Sequence, residues 1–190
     1  MNPLVADEVP APAQVFVLLG TLLGAICSGL LVLFIAGEIL GDPGGVQGTV
    51  SVVAWLALPV LLSILALLRP GAAYPVLVVV VGLVLLASLA AIPLADVVWE
   101  FEDTRGPINL LVIIGALIPL IALGRAMPGR AGLLIIVLIA GFVACQSISL
   151  LLVGQWSVLL VFAVLMPPFL AVATLFVIAG VKARDVIHDT

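Results

Sequence analysis

Apolar positions in this chain neither alternate nor form a stripe with a polar reverse side. They gather into six long runs, at about residues 15–37, 50–68, 76–95, 108–124, 131–153 and 157–181. A helix crossing the ~30 Å hydrocarbon core of a bilayer needs about 20 such residues. A helix that is apolar all round is buried in lipid or in a large core. The pattern therefore predicts an all-α polytopic membrane protein, a bundle of six transmembrane helices. A transmembrane β-barrel does not fit, because its strands alternate apolar and polar residues. The run Val76–Leu86 shows no alternation.

Breaks between the runs carry turn chemistry. Arg69-Pro70-Gly71 closes the second run, and Met127-Pro128-Gly129 lies between the fourth and fifth. Pro107 precedes the fourth, at a position where proline opens helices. The resulting division is a short N-terminal segment (1–14), a transmembrane domain (15–181) and a tail (182–190). The N-terminal segment carries Asp7 and Glu8 and no Lys or Arg, unlike the basic head of a signal peptide.

Composition supports the same class. Of 190 residues, 65% are hydrophobic and 8% charged, and the mean hydropathy is +1.51. A soluble domain is about 45–50% apolar and about 25% charged. This chain lacks the polar residues to cover a water-soluble globule, and it is too apolar to be disordered.

The few charges then assign an orientation. Arg69, Arg125, Arg130, Lys182 and Arg184 fall on one side of the six-run topology, and Arg105 alone on the other. Short cytoplasmic loops are enriched in Lys and Arg. Both termini are expected in the cytoplasm, in the inner (cytoplasmic) membrane. Trp99 and Trp156 flank the expected outer ends, Trp55 lies just inside one, and Tyr74 sits at an inner end. Trp and Tyr favour the headgroup level.

Pro59, Pro70-Gly71, Gly82 and Ser88 recur as Pro119, Pro128-Gly129, Gly141 and Ser147. Two readings fit this echo. One is a parallel repeat of the kind transporters carry. The other is shared turn chemistry in helices of similar composition.

None of the six runs contains Asp, Glu, Lys, Arg or His. Ionisable groups inside the membrane usually mark proton relays and ion sites. Their absence argues against a carboxylate-based proton pump and a retinal Schiff base. His188 is the only histidine, which argues against bis-His haem and multi-His zinc sites. No phosphate-binding Gly-Lys-Ser/Thr loop is present. No cofactor and no nucleic-acid partner are expected, and no catalytic constellation is found.

Three features inside the runs are candidates for a role. Gly20, Gly24 and Ser28 share a face at i, i+4 and i+8, a spacing that lets helix backbones approach. They serve either packing within the chain or oligomerisation with another copy or a membrane partner. A second ridge of this kind is Gly141, Cys145 and Ser149. Gln146 and Ser149 lie in the one concentrated polar stretch, as an interhelical hydrogen-bonding group or a cavity lining. Pro167 and Pro168 fall mid-run, where a kink or break is expected. Cys27 and Cys145 lie at similar expected depth, and two separate thiols are expected rather than a disulfide.

Outside the runs, Asp96, Glu100 and Asp103 share a face at i, i+4 and i+7 if the third helix continues. Carboxylates so grouped can hold a hard cation or meet a basic partner. They also fit a solvated outer rim. The first functional expectation is a non-enzymatic accessory or scaffold subunit, packing with itself or with a membrane partner. The alternative is a small permease or channel, for an uncharged or apolar solute or for a cation entering past the acidic loop. A membrane enzyme using the loop carboxylates is the weakest of the three.

Overall fold

The structure is a computed structural model that describes residues 11–41, 45–98, 100, 108–154 and 156–188. The described chain is helical throughout, apart from short turns, and contains no strand. Its elements are α1 (Ala11–Gly41), α2 (Gly45–Leu68), α3 (Pro70–Ala91), α4 (Ile108–Gly124), α5 (Pro128–Val153), α6 (Trp156–Leu165) and α7 (Pro167–His188). A 3-10 turn, Ile92–Leu94, extends α3.

Proline sets the turns. Arg69 alone separates α2 from α3, with φ −140° and ψ 68°. Met127 precedes α5 with nearly the same values, φ −134° and ψ 63°. Both residues precede a proline, whose ring pushes its predecessor out of the helical region. Both then let the proline open the next helix, where its missing N–H costs nothing. The far end of α5 closes on Gly154, whose φ of +77° suits glycine.

The central element is α4. It packs against α1, α2, α3 and α5, and its Ile113, Ile114, Leu117, Leu120 and Leu123 are fully buried. Around it, α1 and α7 lie along one another, α7 also lies on α5, and α3 joins α5. The core is completed by Ile135, Leu138 and Phe142 of α5 and by Phe169, Val172 and Phe176 of α7. Phe142 meets Phe162 of α6 edge-on, with ring centroids 5.8 Å apart.

Among the described residues four helical segments are long and apolar enough to cross a membrane: Ala13–Gly37, Pro70–Val98, Pro128–Val153 and Leu159–Asp185, the last running through the break at Met166. Val53–Leu68 and Asn109–Gly124 are apolar but shorter. The six expected runs thus differ in kind. In α2 the first turns hold Gln47, Thr49 and Ser51, which shortens its apolar part. The 17 residues of α4 rise about 25 Å at 1.5 Å each. In contrast, the third run reaches further than its apolar core suggested, from Pro70 to Val98.

Only 17–33% of each long apolar window is buried within the chain. Leu18, Leu22 and Leu33 of α1, Val79 and Leu86 of α3, and Leu133 and Val137 of α5 face outward. Apolar surface exposed on this scale belongs in contact with lipid. The chain is an all-helical protein whose outer surface fits a bilayer.

Candidate functional site

Polar side chains inside the bundle are few. Four hydroxyls bond back to the carbonyl one turn earlier: Thr21 to Val17 at 2.8 Å, Ser63 to Pro59 at 2.7 Å, Ser88 to Val84 at 2.9 Å and Thr174 to Leu170 at 2.8 Å. Local bonds of this kind satisfy a hydroxyl where water is absent. Ser28 is different: its Oγ is buried and has no hydrogen-bond partner among the described residues. Gln146 is buried on α5, while Ser149 on the same helix is half-buried. Cys27 and Cys145 are free thiols, both half-buried.

The glycines carry the tightest contacts. A Cβ placed on Gly20 would lie 2.8 Å from the Phe176 ring, and one on Gly24 would lie 2.9 Å from Ile121. Gly20 and Gly24 therefore pack against α7 and α4 of the same chain. The opposite edge of the Phe176 ring, Cε2 and Cδ2, lies against Gly124. Gly132 sits against the backbone of α7, where a Cβ would lie 2.6 Å from the Ala173 carbonyl oxygen. Gly141, of the second ridge, packs against Leu85 of α3.

The sequence gives Gly129 a turn role and Gly124, Gly132 and Gly180 none, and the one sign of close packing is the spacing of Gly129 and Gly132, one turn apart on α5. Trp55 is expected near a headgroup level for its amphipathic ring. In the structure Trp55 also donates its indole N–H to the Leu111 carbonyl at 3.1 Å. Gly115 faces that ring, and a Cβ there would meet Trp55 Nε1 at an ordinary contact distance of 3.4 Å.

The helix after α5 is broken. Met166 separates α6 from α7, and its N–H donates to Phe162 at 3.0 Å. Phe169 and Leu170 both donate to the Met166 carbonyl at 3.1 Å. Pro167 and Pro168 have no N–H to give. The carbonyls of Ala163 and Val164 therefore lack their helical donors.

Charges sit at the ends of the helices. Asp96 and Glu100 are exposed, one helical turn apart beyond the 3-10 turn. Asp103, Glu102 and Arg105 lie outside the described residues, as does Trp99. Among the described residues no three His, Cys, Asp or Glu side chains group as metal ligands. At the opposite end, Arg69, Arg125, Arg130, Lys182 and Arg184 are all exposed. Arg130 lies over the Tyr74 ring, 5.0 Å from its centroid, and Lys182 over Phe16 at 5.6 Å. These contacts join the α2–α3 turn to the α4–α5 turn, and the end of α7 to the start of α1.

The described residues define an all-helical membrane protein with a largely apolar interior and charges at its ends. No protein-family model, curated protein or solved structure matches the chain.

Proposed function

We propose that the chain is a six-span protein of the cytoplasmic membrane with both termini inside, acting as a non-enzymatic accessory or scaffold subunit. The observation that carries this reading is the filled axis of the bundle. Fully buried Ile113, Ile114, Leu117, Leu120 and Leu123 of α4, enclosed by four neighbouring helices, line the centre of the bundle with apolar side chains, which supports a role without transport or chemistry there. The short α4 is enclosed by longer neighbours, so it need not itself match the bilayer thickness. The tight α2–α3 and α4–α5 turns support crossing by both shorter helices. The basic residues gathered at one end support the orientation. Isolation in mild detergent from native membranes, with sizing and mass spectrometry, tests the role. A defined homo-oligomer or a stoichiometric membrane partner is expected. A monomer that keeps no partner contradicts it.

One observation favours a second reading, a small permease for an uncharged or apolar solute or for a cation. The break at Met166 leaves carbonyls without helical donors, and broken helices build transporter sites. Reconstituted vesicles should then show flux that changes with Gln146→Leu or with replacement of Pro167 and Pro168. Absence of flux across a broad solute panel contradicts it.

A further inference from the structure

The short helix α6 has a break at each end. Its 10 residues, Trp156–Leu165, follow Gly154, whose φ is +77° and which has open space where a Cβ would stand. They end at Met166, before two prolines that offer no N–H to the carbonyls of Ala163 and Val164. Burial differs on the two sides of Met166. Among residues 159–165 only Phe162 is buried; Leu159 and Leu165 are half-buried, and Leu160, Val161 and Val164 are exposed. On α7, by contrast, Phe169, Val172, Ala173, Phe176 and Ala179 are all buried. That helix lies along α1 and α5, whereas the main neighbours of α6 are α5 and α7.

Segments with few buried apolar contacts open at lower free energy than the rest of a fold. The buried anchor of α6 is the Phe162 ring, edge-on to Phe142 of α5 at 5.8 Å. The face of α5 that Phe142 turns to α6 continues through Gln146 and Leu150, at i+4 and i+8, both buried. We propose that α6 is a hinged half-helix, which swings on Gly154 and Met166 while α7 stays packed, and whose movement uncovers Phe142, Gln146 and Leu150. The structure holds the closed arrangement, with Phe162 seated. Opened, that face offers one amide among apolar side chains, and in lipid the amide must take a hydrogen-bonding partner. The inference rests on the described helices and on neither role proposed above.

The test uses the full chain in phosphatidylcholine nanodiscs, with Cys27 and Cys145 replaced by Ala. Spin labels at exposed Val79 and Leu160 report the distance from α3 to α6, and labels at Val79 and exposed Ile178 report that from α3 to α7. Double electron–electron resonance should give a broad or two-peaked distribution for the first pair and one narrow peak for the second. Phe162→Ala should shift the first pair toward the open population. Replacing Pro167 and Pro168 with Ala should narrow it, and a second pair that stays narrow shows the core intact in either variant. A first pair as narrow as the second overturns the proposal. So does a first distribution that the double-proline change, or Phe162→Ala, leaves unaltered. Broadening of both pairs before either change also overturns it, because α7 would then move with α6.

Discussion

Gly180 of α7 rests on Gly129 of α5 so closely that a Cβ on Gly180 would lie 2.5 Å from the Gly129 Cα. A side chain on Gly180 does not fit there, whereas a Cβ on Gly129 would lie 3.4 Å from the Gly180 Cα. Without a hydrophobic drive between helices in lipid, close backbone approach supplies dispersion contact in its place. Gly180→Val should therefore destabilise the bundle by about 1–3 kcal/mol, the usual cost of overpacking. Gly71→Ala is the control, since nothing lies within 4 Å of it. Thermal melting in detergent reads both, and an unchanged melting point for Gly180→Val would remove this contact from the account.

Phe176 is held between Gly20 and Gly124, and so ties α7 to α1 and α4 at once. Phe176→Ala should cost about 3–5 kcal/mol, as for a large aromatic removed from a packed interior. Exposed Leu133→Ala should cost far less, because lipid or detergent fills the space left at Leu133, whereas Phe176 is buried and leaves a cavity. Equal losses for the two, measured by reversible unfolding in mixed micelles, would mean that the ring is not a keystone of the core.

The bond from Trp55 to the Leu111 carbonyl joins α2 to α4. Trp55→Phe keeps an aromatic ring and loses the donor. Interhelical hydrogen bonds in membranes average about 0.6 kcal/mol, so a small loss of that size is expected. Gly115→Leu should cost more, because it fills the space the indole occupies. Unfolding of the two variants side by side tests the order.

Much of this arrangement was legible in the sequence, and the rest was not for a physical reason. Long apolar runs and Pro-Gly turns give the all-helical class and the turns at Arg69 and Met127, because backbone bonding in lipid permits little else. The turn at Pro70 and the break at Pro167 fall at prolines, although Pro59, Pro75 and Pro119 lie inside continuous helices. The identity of the central helix was not legible. In water a buried helix stands out by its apolar face, but here all faces are apolar and α4 reads like its neighbours. Only the contact pattern separates Ile113, turned inward, from Leu133, turned to lipid. Small residues gave a partial signal. Gly20 and Gly24 were visible as a ridge, whereas Gly124 and Gly180 gain meaning only from what faces them. Asp103 remains a sequence expectation, since it lies outside the described residues.

Replacing both Pro167 and Pro168 with Ala restores two N–H donors for the Ala163 and Val164 carbonyls. The α6–α7 junction should straighten toward one continuous helix. Amide exchange at residues 167 and 168 reads this directly, with slow exchange expected for hydrogen-bonded positions. Fast exchange there would show that the break is held by packing around Met166 rather than by the missing donors.

Six crossings with the basic end inside is the central claim, and site-directed labelling tests it most directly. In a background with Cys27 and Cys145 replaced by Ala, single cysteines are placed at Gly71, Ala126, Glu100 and Arg184. Intact cells are treated with a membrane-impermeant maleimide before and after permeabilisation. The account predicts labelling of Glu100→Cys in intact cells, and of the other three only after permeabilisation. Labelling of Gly71→Cys or Ala126→Cys from outside would contradict it, because one of the shorter helices would then fail to cross.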